Sequence, residues 1–551
     1  MRILSYLQGL VGRRMVLQSV LFQNRPSRKR QPARGYRPQL EALEDRCLLS
    51  GGVLDPTFGS GGLVTNTFGQ IPHAVATYPN EGTANDGKIV EAVSASGSGR
   101  DAYMAVVRYN LNGTLDSSFG GTGEVTSGVK GLAWGVAVQA DGKVVVAGWS
   151  TQAAFEVVRF NPDGSLDTSF GSKGLAVIGF SGTSYAFNVA VQADGKIVVA
   201  GQTQPKNTGN WDITLARLNT NGSLDSSFGA GGKVVTQLPY SLNSTQYLSP
   251  LTNLAIDPNT SASDSNSGKL LVVVRTQQPQ AVVVRYNTNG TLDTTFGSGT
   301  GYVNLGNQNY PAVVVQSDDR IVVAGTGYGS TAVFLARLNA DGTLDASFGS
   351  GGIVVTSNPQ VAFADSVALQ ANGQIVVCGT GMLNNNGNRL MVGRYNTNGS
   401  LDITFGTGGF AMTPVFTANG RSMALEPDGR IIVAGLGSGP WFTLARFLAA
   451  GPQIRSFTAS PNPVTADSSL NLTASNIGDE IPSATITQVA FYYIDSSSTQ
   501  QLLGYGTQTS TGVWNYTFTV NLASSSYTIL AQAEDSYGVF GDPVAITLTV
   551  N

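Results

Sequence analysis

The sequence predicts an all-β protein, a seven-bladed β-propeller closed by its own N-terminal strand and followed by an immunoglobulin-like β-sandwich. Three observations predict it. An eleven-residue block recurs at long intervals, each interval carries hairpin signals, and the block is cut in half at the two ends of the repeated region.

The block Asn-x-[Asp/Asn]-Gly-[Ser/Thr]-Leu-Asp-x-[Ser/Thr]-Phe-Gly begins at Asn110, Asn161, Asn219, Asn287, Asn339 and Asn396, and a half copy runs from Leu54 to Gly59. Its aspartates, Asp55, Asp116, Asp167, Asp225, Asp293, Asp345 and Asp402, lie 51 to 68 residues apart. Periods of that size suit propellers and other arrays. A second element, Ala137 to Gly148 and again Ala190 to Gly201, has weaker versions ending at Gly325, Gly379 and Gly435 and degraded ones at Gly87 and Gly268. A third ends in Arg108, Arg159, Arg217, Arg285, Arg337, Arg394 or Arg446 followed by an aromatic residue or Leu.

Val-, Ile- and Ala-rich runs flanking Asp-Gly signal a β-hairpin, because a type I′ turn needs positive φ. Asn-Gly or Asp-Gly after each Arg run marks another reversal. Each module therefore holds four short antiparallel strands, the description of a propeller blade. The rival parallel β-helix has shorter coils and lacks tight hairpins.

Each Arg precedes a block Asp by eight residues, except Arg446, which has Ile454 at that offset. The missing partner is Asp55. The expectation is a charge-assisted pair in each module, namely Arg108 with Asp116, Arg159 with Asp167, Arg217 with Asp225, Arg285 with Asp293, Arg337 with Asp345 and Arg394 with Asp402, and Arg446 with Asp55 across the seam. Sevenfold repetition favours scaffolding over a ring of catalytic charges. The variable strand at 62–67 is expected outermost, completing the last blade.

Three regions are expected: a basic tail at 1–50, the propeller at 51–450 and the sandwich at 451–551. The tail holds ten basic residues against three acidic ones, leaving 22 against 32 for the rest. Without aromatic interleaving or a folded basic surface, it reads as a targeting segment rather than a nucleic-acid site. No run of eighteen apolar residues exists, so no transmembrane helix is expected. A charged fraction of 12 % and 68 glycines fit a turn-dense β protein. Two cysteines make no disulfide framework, and Cys378 stands where Ala147, Ala200, Ala324 and Ala434 stand, as a small core residue.

Leu40-Glu41-Ala42-Leu43-Glu44-Asp45-Arg46-Cys47-Leu48-Leu49-Ser50 resembles a motif near the N-terminus of many large repetitive bacterial surface proteins. That resemblance implies export and a surface location. Residues 54–447, with Leu-Asp-x-Ser-Phe-Gly and Asp-Gly-Lys-Ile-Val-Val-Ala-Gly as recurring words, are similar to the delta-60 repeat family, which implies a propeller and no particular activity. From Gly451 the words vanish, and alternating runs such as Ser469 to Thr473, Val489 to Tyr493, Trp514 to Leu522, Tyr527 to Ala531 and Val544 to Val550 fit about seven sandwich strands. This part resembles bacterial immunoglobulin-like spacers, with Trp514 filling the core in place of a disulfide.

Catalysis by Ser-His-Asp or a His-ligated metal has one imidazole to draw on, His73, and no second ligand accompanies it. No catalytic residue, cofactor or metal is assigned. Asn161, Asp163, Ser165 and Asp167 alternate as in calcium loops, but four copies replace Asp163 by Asn and turn chemistry explains the pattern. The stretch Asp264 to Gly268 is equally weak. Candidate ligand contacts are the aromatics of the irregular loops, Trp134, Trp149, Trp211 and Trp441, with Tyr185, Tyr240, Tyr247, Tyr310 and Tyr328. They suit a glycan or a surface protein, unless they pack between blades. Three readings follow: a noncatalytic exported binding module, a spacer without a specific ligand, and a glycan hydrolase or lyase using acids such as Glu156, Asp212 or Asp365.

Overall fold

The Asp-Gly and Asn-Gly pairs reverse the chain as their chemistry demands. Gly142, Gly195 and Gly373 take φ of 79°, 79° and 83°, a region open to glycine and costly for most side chains. The computed structural model describes residues 51–66, 71–95, 102–150, 152–206, 209–242, 252–259, 264–278, 280–327, 332–357, 361–382, 387–414, 419–437, 442–449, 451–479, 485–495, 500–536, 541 and 543–551. The basic tail and its Leu-Glu motif lie outside them. Among the described residues every regular element longer than a turn is a β-strand, and no helix is long and apolar enough to cross a membrane.

Strands Ile71–Thr77, Ile89–Ala95, Tyr103–Tyr109 and Glu124–Lys130 form one antiparallel sheet in chain order, and the sheets starting at Leu132–Val138, Gly182–Val191 and Val361–Leu369 repeat that order. Between the last two, the 14-residue strand Tyr302–Val315 joins two units. Its first half pairs with Gln280–Tyr286 and its second half with Ile321–Gly327. The final unit, Asn419–Leu425, Ile431–Leu436 and Phe442–Phe447, takes its fourth, outermost strand from Leu63–Asn66 at the other end of the repeats.

The first strand of each unit is innermost. Ile71–Thr77 packs on Leu132–Val138, and contact passes in turn to Gly182–Val191, Thr252–Ile256, Tyr302–Val315, Val361–Leu369 and Asn419–Leu425, which packs back on Ile71–Thr77. The second strands read as unbroken apolar runs because both of their faces are covered. Val144 and Val146 join the core containing Val90 and Val106, while Val145 and Ala147 join that containing Ala216 and Leu218. One core contains Val93 and Val107 together with Ile432 and Leu444, so the two ends of the repeats share an interior.

Residues from Gln453 onward build two four-stranded sheets. One holds Gln453–Ser460, Ser469–Gly478, Val513–Thr519 and Thr507–Ser510, and the other Gln500–Tyr505, Ile486–Ile494, Ser525–Asp535 and Val544–Val550. Leu470, Leu472, Phe491, Trp514, Ile529 and Leu548 form their common core. Among the described residues this region has eight strands, where about seven were expected.

Candidate functional site

The repeated words assemble into one interlocking unit. Each block Arg donates through Nε to its Asp Oδ2 at 2.7 to 2.9 Å. The other carboxylate oxygen accepts the backbone N–H and the hydroxyl of the Ser or Thr two residues on, as Asp167 does from Ser169 at 3.1 and 2.6 Å. The guanidinium lies 4.4 to 4.7 Å above the block Phe ring, a cation–π contact in a site closed to water. Its Nη1 then donates to a carbonyl in the next unit: Arg108 to Pro162, Arg159 to Thr220, Arg217 to Thr288, Arg285 to Ala340, Arg337 to Thr397, Arg394 to Ala449, and Arg446 to Leu111. Backbone bonds run alongside, from Gly120 N to Asp163 O and from Gly171 N to Asn221 O. Block glycine is required here, since a Cβ on Gly164 would sit 2.6 Å from the Gly120 nitrogen.

At the seam the block is rebuilt from both chain ends. Leu448 N donates to Val53 O and Gly52 N to Leu448 O, the bonds that Asn110 N makes to Thr114 O and Gly113 N to Asn110 O within one intact copy. The half copy therefore starts at Gly51, three residues before the Leu54 read from sequence. Asp55 lies 2.8 Å from Arg446 Nη2 and 3.3 Å from Arg430 Nη1. Burial raises the Asp55 pKa, but the Thr57 hydroxyl and the Arg446 charge outweigh it, and the net shift is downward. Beside it, Glu426 lies 3.3 Å from Arg446 and is pushed up to about 7 by burial, against the pull of Arg446 and Arg430.

The tryptophans require a correction. Trp134 lies within the strand Leu132–Val138 and Trp149 ends Val144–Trp149, so neither is a loop residue. Trp134, Trp149 and Trp211 are exposed by only 3, 7 and 5 %. They therefore present no exposed stacking face. Trp134 and Trp149 cluster with Phe187, and the half-buried Tyr185 lies between Trp149 at 4.4 Å and Trp211 at 5.2 Å. For Trp134 the physical reason is that the inner strand Leu132–Val138 begins several residues before its Val-Gln signature, which carries the indole into the packing between units. Trp149 ends a second strand and Trp211 directly precedes a third. Trp441, Tyr247 and Tyr328 lie outside the described residues.

Three acids considered for catalysis sit on three different sheets. Glu156 is buried on Phe155–Phe160 with Ser150 Oγ 2.5 Å away, and burial raises its pKa. Asp212 opens Asp212–Leu218, and Asp365 lies on Val361–Leu369. Sequence reasoning missed Glu91, which stands where the corresponding strands carry Val146, Val199, Val323, Val377 and Val433. It is fully buried, 3.4 Å from the Tyr109 hydroxyl, and burial pushes its pKa up to about 8. It weighed the stretch Asp264 to Gly268 for calcium but missed Asp257 and Asp319, which join Asp264 in an acidic group. Asp257, Asp264 and Asp319 bring carboxylate oxygens within 4.8 Å of one another and are the described residues able to hold a divalent cation. Burial pushes Asp257 up to about 6, with Asp319 and Asp264 adding to the rise. Asp319 takes φ of 64° where other hairpins have glycine.

His73 is buried on the inner strand Ile71–Thr77. Burial and the Arg421 charge hold its pKa well below the ordinary value. Its Nδ1 is 3.4 Å from Arg421 Nη1, and its ring centroid is 4.2 Å from that of Trp134.

All-β sheets that follow one another and are tied by a repeated lock define a propeller-like repeat protein. Six of its segments, residues 84–119, 139–170, 192–228, 266–296, 316–348 and 370–405, match the family described as "Domain of unknown function (DUF5122) beta-propeller". No curated protein matches the chain in sequence. Similar solved structures include a gluconolactonase from Xanthomonas campestris, 12 % identical with a TM-score of 0.30, covering 60 % of this chain and 93 % of that one. An α-L-arabinanase from Penicillium chrysogenum, complexed with arabinobiose, is 13 % identical with a TM-score of 0.35, covering 64 % and 99 %.

Proposed function

We propose that this is a noncatalytic module exported to the cell surface: a rigid seven-bladed propeller over residues 51–450, carried beside an immunoglobulin-like spacer over 451–551. One observation carries the reading. All seven repeated Asp–Arg pairs are buried in the lock and engaged on every side, so the ring's repeated charge holds blades together instead of facing a substrate. Seven Arg-to-carbonyl bonds, the last returning to the first repeat, support the blade count, and the eight strands around Trp514 support the sandwich. The Leu40 to Ser50 motif supports export.

The function favoured for such a scaffold is binding of a glycan or surface protein. Burial of Trp134, Trp149 and Trp211 favours a second reading for the loop face, that of a spacer without a ligand of its own. The test is to apply the full chain to a glycan array and, in parallel, to a polysaccharide panel assayed for released reducing ends, with protease shaving of intact cells to locate it. Array binding without turnover is the expected result. Catalytic release of sugar would overturn the proposal, and resistance to shaving would remove the surface location.

A further inference from the structure

Where the ring needs a residue for its own construction, that residue repeats. The inner strands contain one position where it does not. In six of them the pairing with the second strand slips immediately before the residue opposite Ala92, Ala147, Ala200, Ala324, Cys378 or Ala434. The inserted residues are His73, Trp134, Phe187, Asp365 and Arg421, with Tyr310 and Pro311 together in one strand. A β-bulge leaves one residue out of the ladder and re-aims its side chain. Here that happens at one level in six of the units, and the inserted residue differs from unit to unit.

Four of these residues, from successive inner strands, touch in series. Arg421 reaches His73, the His73 ring lies against Trp134, and Trp134 meets Phe187 edge-on with centroids 5.7 Å apart. Because Arg421 Nη1 can only donate, His73 Nδ1 accepts and the ring proton resides on Nε2. His73 Nε2, Trp134 Nε1 and Arg421 Nε are then three buried N–H donors without a protein acceptor. Their residues are exposed by 6, 3 and 9 %. A buried donor without an acceptor is costly, and more so where the donor belongs to a charged group. Burial lowers the Arg421 pKa, and the Asp365 charge acts against that lowering. All three orphaned groups donate, and one carries positive charge. A negatively charged acceptor would satisfy all three.

We propose that His73, Trp134 and Arg421 form an axial binding site for a small oxyanion, a carboxylate or a phosphate. Phe187 closes the aromatic side, and Arg421 supplies the charge. This goes beyond the scaffold reading, and its failure would leave that reading untouched.

His73 is the chain's single histidine, so a histidine-labelled sample of the full chain reports on the site without ambiguity. The ring nitrogens would be followed by NMR while sodium acetate, inorganic phosphate or the neutral isostere acetamide is added to millimolar concentrations. The expected result is a saturable His73 shift with acetate or phosphate and none with acetamide, the stronger anion identifying the source. Arg421→Gln weakens that binding about tenfold or more, the scale of a lost hydrogen bond to a charged group. Trp134→Phe keeps an aromatic ring but loses the N–H donor together with part of the indole's bulk, and weakens binding by a smaller factor. A His73 signal that no anion saturates would mean that water alone serves these donors, and would overturn the proposal. Affinity unchanged in both variants would place the anion elsewhere and overturn it equally.

Discussion

Asp55 and Arg446 are 391 residues apart in sequence and joined by a 2.9 Å hydrogen bond in a site from which both side chains exclude water. The first expectation concerns this pair. Removing one partner of a buried ion pair strands the other charge, at a cost of roughly 3–5 kcal/mol. Asp55→Ala should lower stability by about that amount in urea denaturation, and Asp225→Ala should do so at an internal pair. If Asp55→Ala were neutral while Asp225→Ala was not, the seam would not be held by this contact.

Gly52 tests the rebuilt turn independently of charge. Its φ is 75°, and a Cβ there would stand 2.5 Å from the backbone nitrogen of Gly406. Gly52→Ala is expected to destabilise by more than the ~1 kcal/mol usual for a glycine-to-alanine mismatch, whereas Gly61→Ala, with open space around it, should cost only the strain of its positive φ. Equal melting temperatures for the two variants would contradict the close approach.

Glu91 makes stability depend on pH in the opposite sense to Asp55. Its folded pKa is about 8, above the ordinary 4.5, so the folded state holds a proton that the unfolded chain releases. Stability from this group is complete below about pH 4.5 and is lost as pH rises toward 8. The Asp55 pKa is lowered, so its contribution is present above the ordinary carboxylate range and disappears as pH falls through the folded value. Glu91→Gln should match the wild type near pH 5 and exceed it near pH 8, as read from urea midpoints at the two pH values. A constant difference between the two proteins would show that Glu91 does not titrate with folding.

Trp211 is expected to behave as a core residue. Trp211→Ala should cost roughly 3–5 kcal/mol, the range for truncating a buried aromatic. A variant as stable as the wild type, measured by thermal melting, would return Trp211 to the surface.

The lock was legible because each of its parts is tied to one geometric task. Arg, Asp, Ser or Thr, Phe and Gly recur at fixed offsets, and the offset alone indicates Asp55 as the partner of Arg446. Gly51 and Gly52 were not legible, since they carry no side chain and Val53 replaces the hydroxyl residue of the other copies. Trp134 was misplaced because a strand's beginning has no marker when it precedes its apolar run. Trp134 lies four residues ahead of the Val138 that signals its strand. Asp257 and Asp319 belong to successive units, and only the fold puts them together. His73, Trp134, Tyr310 and Asp365 were noticed one by one, but the level they share was not, since reading by repeats passes over a position at which nothing repeats.

The split turn has a mechanical consequence. Because the chain enters the ring at Gly51 and leaves it at Ala449, with those residues in contact, tension applied through residue 51 and the segment after 449 falls on a single junction. Only when the strand Leu63–Asn66 peels from Phe442–Phe447 does the force reach another sheet. The clasp is therefore where the ring is expected to open first, with the Asp55–Arg446 pair among the contacts that must break.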